Sequence, residues 1–159
     1  MNKIFLLLFM LISGIISAQL TAASYSIKSL DANSKYSDFG TTFYGKDKIV
    51  FSSARQTGAS NKKRDANDRL YLDLYIGNVG DNGEIIKVKP FSSSVNSKYH
   101  DAMVAFSPDL KHVYFTSNNY LDGKLKSNGL KIFKATISTN GQWKNIVTLP
   151  FNSDEYDTG

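Results

Sequence analysis

Asn96-Ser97-Lys98-Tyr99-His100-Asp101, followed by Phe106-Ser107-Pro108-Asp109-Leu110-Lys111-His112-Val113-Tyr114-Phe115-Thr116-Ser117, decides the fold because both stretches have earlier counterparts. The first stands earlier as Asn33-Ser34-Lys35-Tyr36-Ser37-Asp38 and begins again as Asn152-Ser153-Asp154-Glu155-Tyr156-Asp157. The tyrosines Tyr36, Tyr99 and Tyr156 lie 63 and then 57 residues apart. The second stretch, taken from Ala105, pairs with Thr42-Phe43-Tyr44-Gly45-Lys46-Asp47-Lys48-Ile49-Val50-Phe51-Ser52-Ser53. Leu74-Tyr75 returns as Ile132-Phe133, and Asn82-Gly83 as Asn140-Gly141. Self-similarity at such a period marks a repeat architecture in which each copy is one supersecondary unit.

Working outward, each unit reads as four short strands. They are expected over 40–44, 48–54, 71–79 and 84–91, then over 102–107, 111–117, 129–137 and 142–149. Ser107-Pro108-Asp109 suits a type I turn, because proline presets φ at its second position. Asn82-Gly83 and Asn140-Gly141 suit hairpins that need φ > 0. Ile49-Val50-Phe51 and Val113-Tyr114-Phe115 are apolar without alternation, which predicts strands buried on both faces. A four-stranded antiparallel sheet stacked between like neighbours is a β-propeller blade. The expected class is therefore all-β, with about two blades and the start of a third. The organisation follows: 33–95 a first repeat, 96–151 a second, and 152–159 the start of a third, truncated one. Residues 19–32 form a lead-in, a candidate for the last strand of a closing blade.

The chain opens differently. Lys3 precedes an apolar run from Ile4 to Ile12, and Ser17-Ala18 offers a small-residue cleavage point, so residues 1–18 read as a secretory signal peptide. That run is too short for a comfortable membrane crossing, which needs about 20 apolar residues. No second run of membrane length follows. The reading is an exported chain with no transmembrane span once processed.

Composition narrows the chemistry. Cys is absent from the 159 residues, excluding disulfides, thiolate metal sites and a catalytic thiol. A formal charge of +5 is mild, and nucleic acid does not fit an exported chain. The histidines are His100 and His112, and no Gly-x-Ser-x-Gly, His-Glu-x-x-His or phosphate loop occurs. His100 is read as a loop hydrogen-bonding residue, and His112 as the counterpart of Ile49. Asp65-x-Asn67-Asp68 lacks the glycine and distal glutamate of a calcium loop. The basic run Asn61-Lys62-Lys63-Arg64 reads as a solvated loop. Trp143 reads as packing between blades. No catalytic, cofactor or metal residue is assigned.

The residues singled out are structural: Tyr36, Asp38, Tyr99, Asp101, Tyr156 and Asp157 of the first element, and Ser107, Pro108 and Asp109 of the turn. The aspartates Asp38, Asp101 and Asp157 are read as turn caps. The alternative is a ring of carboxylates around a central channel.

The stretch Phe106 to Asn118 resembles the F-S-P-D-G-K-x-(apolar)-Y-F-T-S-N motif of WD-like repeats, as in TolB-type propellers. The Asn-Ser-Lys-Tyr-x-Asp element is similar to one in exported OmpA-family proteins of flavobacteria. Leu110 stands where the motif has glycine, which predicts another turn geometry or a longer loop there. The resemblance implies a non-catalytic scaffold, periplasmic or outer-membrane-associated, with envelope proteins as partners. It implies peptidoglycan contact only through an OmpA-like domain that is not among these residues, so the chain reads as an N-terminal piece. Similar propellers also precede the catalytic domain of prolyl-oligopeptidase-like peptidases, which keeps that alternative open. A third reading, a small-ligand or glycan binder, requires aromatic and polar residues to converge on one end of the blades.

Overall fold

A computed structural model describes residues 23–55, 64–65, 67–91, 95–97, 99–118 and 129–159. The predicted signal peptide, 1–18, and the basic residues Lys62 and Lys63 lie outside the described residues. Among the described residues the chain is all-β. Its strands are β1 (Asp38–Phe43), β2 (Lys48–Ser53), β3 (Asp73–Val79), β4 (Ile85–Pro90), β5 (Asp101–Phe106), β6 (His112–Ser117), β7 (Lys131–Ile137) and β8 (Trp143–Thr148). Every boundary falls within two residues of the expected one. They form two four-stranded antiparallel sheets, ordered β1-β2-β3-β4 and β5-β6-β7-β8, the strand order of propeller blades.

The repeat extends to backbone irregularities. Gly40 in β1 and Met103 in β5 both have positive φ, where β1/β2 and β5/β6 slip register. Lys87 in β4 and Asn145 in β8 do the same at their own matching bulges. Bulges increase local twist. Their recurrence gives the two sheets the same irregular backbone. Met103 N–H, freed from its ladder, donates to Ser52 Oγ of β2 at 2.9 Å.

The core sits between the sheets. Val50 and Leu74 of the first meet Val104, Val113, Phe115, Phe133, Ala135 and Trp143 of the second. Trp143 lies 4.8 Å from Phe115 and 5.9 Å from Phe91 between ring centroids, and Tyr44 closes on Phe106 at 4.8 Å. Each buried aromatic contributes roughly 2–3 kcal/mol by area removed from water. Strand β2 is buried on both faces, with Ile49, Phe51 and Tyr75 forming a smaller cluster on the far side. Strand β6 departs from expectation, since Tyr114 is 38% exposed while Val113 and Phe115 are buried. The physical reason is coverage. Tyr114 is the counterpart of Val50, and no sheet among the described residues covers it as the second sheet covers Val50.

Two turn predictions also resolve. Gly83 and Gly141 hold φ of 77° and 78°, and their N–H groups close the turns on Gly80 O at 3.0 Å and Ser138 O at 2.8 Å. Leu110 does not change the turn. It takes φ of 54° in the same left-handed region, and its N–H closes on Ser107 O at 2.8 Å. Ser107 and Asp109 hold it there: Ser107 Oγ donates to Asp109 Oδ1 at 2.6 Å and accepts from His112 N–H at 2.9 Å. Lys111 N–H completes the cap on Asp109 Oδ1 at 3.1 Å, and Pro108 fills the second turn position. Finally, His112 begins β6 opposite Thr136 as Lys48 begins β2 opposite Asn78, so Lys48 is its counterpart, not Ile49.

Candidate functional site: a clip between sheets and the cleft above it

The recurring first element is a clip that joins one sheet to the next. Its asparagine grips the third strand of the preceding sheet: Leu74 N–H donates to Asn96 Oδ1 at 2.9 Å, and Asn96 Nδ2 donates to Leu74 O at 3.1 Å. The next copy repeats the grip, with Ile132 N–H on Asn152 Oδ1 at 3.0 Å and Asn152 Nδ2 on Ile132 O at 2.6 Å. An asparagine amide offers one acceptor and two donors, so one side chain satisfies both backbone groups. The serine one position on then accepts the N–H two residues ahead, at 3.1 Å in each copy: Tyr36 on Ser34, Tyr99 on Ser97, Glu155 on Ser153.

A second set of contacts changes the expected equivalence of the aspartates. Asp101 N–H donates to Leu72 O at 2.9 Å, while Leu72 N–H donates to His100 Nδ1 at 3.3 Å. In the following copy Thr158 N–H donates to Leu130 O at 2.8 Å, and Leu130 N–H donates to Asp157 Oδ1 at 2.7 Å. Asp157 therefore takes the place of His100, and Thr158 that of Asp101. One additional residue between Asn152 and Tyr156 produces the shift.

The two true counterparts, Asp38 and Asp101, differ in environment. Asp38 Oδ2 accepts from Ser34 N–H at 2.6 Å and Ser34 Oγ at 2.9 Å, and Oδ1 meets Arg55 at 2.8 Å. Burial opposes its charge, but Arg55, Ser53 and Ser34 outweigh it and hold the carboxyl at about 2. Arg55 in turn covers the Phe51 and Tyr75 rings at 5.0 and 5.1 Å. Asp101 is 1% exposed and accepts from Ser97 N–H and from Ser117 Oγ, the latter at 3.1 Å. Burial, with the Asp73 charge adding to it, pushes its carboxyl up to about 7 against those hydrogen bonds.

Above the clip lies a cleft of about 1060 Å3 to which all three copies contribute: Lys35, Tyr36 and Ser37, then His100, then Asp157. Tyr36 lies under Lys35 Nζ at 5.3 Å. Tyr99 meets Tyr71 edge-on at 5.9 Å, and Tyr71 meets the His100 ring at 4.7 Å. Tyr156, 56% exposed, donates from its hydroxyl to Phe151 O at 3.0 Å and does not line the cleft. Across the cleft, Asp65 accepts from Asn67 N–H, Arg69 N–H and Arg69 Nε, each at 2.9 Å, and stands 3.4 Å from His100 Nε2. These donors keep Asp65 ionised, well below the usual carboxylate range. Because His100 Nδ1 accepts from Leu72, the neutral ring carries its proton on Nε2 toward Asp65. Burial lowers the His100 pKa, with Asp65 opposing. Both nitrogens are thus engaged in joining the sheets.

Asn96, Asn152, Arg55 and Tyr71 were not among the residues singled out from the sequence. The asparagines recur in every copy of the element, and that recurrence was the available signal. Arg55 and Tyr71 lie outside the repeated stretches and carry none. No cluster of three or more His, Asp or Glu able to hold a metal occurs among the described residues. No helix of the described residues is long and apolar enough to cross a membrane. Comparison with protein families, curated proteins and solved structures finds no match to the chain.

Proposed function

We propose that the chain is an exported, non-catalytic β-propeller scaffold that mediates protein interactions in the bacterial cell envelope, within an OmpA-family, outer-membrane- or peptidoglycan-associated protein. The observation that carries this reading is the clip. Asn96 and Asn152 dock successive repeats on the backbone of the sheet before them, the construction of a repeat array whose ends and loops are free to serve contacts. The export leader read in residues 1–18 and the TolB-like turn around Pro108 support the envelope setting. The working parts are surfaces rather than a reacting group, and His100, the one histidine in the cleft, spends both nitrogens on structure.

The test is processing and location. Expressed with a C-terminal tag in a Gram-negative host, the protein should fractionate with the envelope and begin at Gln19 on N-terminal sequencing. Retention in the cytosol with Met1 intact overturns the proposal.

A further inference from the structure

We infer that the cleft formed by the three clip copies binds an acidic peptide segment of a partner protein, which rests on the scaffold reading above and names the partner's chemistry. Among the residues that line it are the positions where the copies differ, Ser37, His100 and Asp157. The asparagine grip fixes the backbone beside these residues, and His100 and Asp157 both keep an acceptor on a strand N–H while their charge differs.

The charges there are unevenly spent. Asp65 is consumed by Arg69, by two backbone N–H groups and by His100. Lys35 is exposed, and its ammonium has only the Tyr36 ring as a partner among the described residues. Arg64 donates to Asp68 O at 2.5 Å and pairs with the Asp68 carboxylate at 3.5 Å, an exposed and therefore weak ion pair that leaves half the Arg64 side chain in solvent. Asp157 has one oxygen on Leu130 N–H and stands at the second sheet's side. A uniformly anionic polymer would meet Asp157 as well as Lys35. An extended peptide suits both, with carboxylates toward Lys35 and Arg64 and backbone N–H groups toward Asp157. Tyr36 and Tyr71 supply rigid aromatic surface of the kind that anchors protein interfaces, and the volume is beyond that of most single small-molecule pockets.

The test has two arms on the full chain. In the first, a fluorescein-labelled hexapeptide alternating glutamate and tyrosine is titrated by anisotropy, beside its glutamine counterpart and an oligogalacturonate. Binding of the acidic peptide alone, weakened about tenfold by Lys35→Glu or Arg64→Glu, is expected. Both residues are exposed, so unchanged thermal unfolding verifies that the variants fold. Binding indifferent to both substitutions, preference for the oligogalacturonate, or no binding overturns the inference.

In the second arm, a photo-crosslinking residue replaces Tyr71 or, on the uncovered face of β6, Tyr114, in cells. Protein adducts at Tyr71 that map to acidic segments are expected, and they should be lost with Arg64→Glu. Adducts at Tyr114 alone overturn the cleft and leave the scaffold standing. Adducts at neither position overturn both.

Discussion

Asn96 and Asn152 each satisfy a backbone N–H and a C=O with one side chain, but they do so in different settings. Asn96 holds Leu74, which is fully buried between the sheets, whereas Ile132 is partly open. Leaving a buried donor and acceptor unpaired costs roughly 1–3 kcal/mol. Asn96→Ala is therefore expected to lower stability by about 2–3 kcal/mol and Asn152→Ala by about 1 kcal/mol or less, as urea melts would read. Equal losses would mean that the grip on Leu74 is no more than a surface contact. Asp38 and Asp101 give opposite pH responses. The Asp101 carboxyl is raised in the fold, so unfolding gains favour as pH climbs from the unfolded value near 4 toward about 7, a loss on the order of a few kcal/mol. The Asp38 carboxyl is lowered, so its stabilisation is complete above about 4 and disappears as pH falls toward 2. Denaturation of Asp101→Asn at pH 4.5 and 8 should show a flatter profile than the parent, with the variant gaining at pH 8. An unchanged slope would move the titrating group elsewhere.

At the scale of elements, the eight strands were legible because strand length, turn chemistry and repetition agreed. What escaped was everything set by neighbours. Val113-Tyr114-Phe115 has the composition of a strand covered on both sides, yet coverage depends on a second sheet, and no composition states whether one is there. Leu110 escaped for a related reason. Glycine is preferred at φ > 0, but Ser107 and Asp109 hold the turn by enough hydrogen bonds to force a leucine into it. A non-glycine residue in that region costs about 1–2 kcal/mol. Leu110→Gly should therefore stabilise the β5–β6 hairpin by about 1 kcal/mol, less the added freedom of the unfolded chain. A melting temperature that falls would show that the leucine side chain has packing worth more than the strain. The cleft was the least legible feature. Its requirement, aromatic and polar groups converging at one end, was stated from sequence, but Tyr71 and Asp65 reach it from outside any repeated stretch.

For the molecule as a whole, the core spanning both sheets predicts one unfolding event rather than two. Trp143 is the chain's single tryptophan and sits in that core beside Phe91 and Phe115. Its fluorescence and the far-UV circular dichroism of the strands should follow one denaturation curve. Separated midpoints would mean that the sheets unfold independently. Phe115→Ala should cost about 3–5 kcal/mol by removing the ring at the centre of the shared core, and it should do so in both signals together.

The asparagine clip reads only main-chain atoms of its target, Leu74 in one case and Ile132 in the other. Nothing in the handshake depends on which side chain the receiving strand carries there. A joint of that kind is indifferent to vocabulary: units can be duplicated, shuffled or exchanged while the connector goes on working, and each new copy is free to diverge at the positions it turns toward the outside. The change from His100 to Asp157 marks the bounds of that freedom: charge and shape alter, the acceptor for the strand N–H is kept, and one residue of slack is absorbed between two anchors that both still hold.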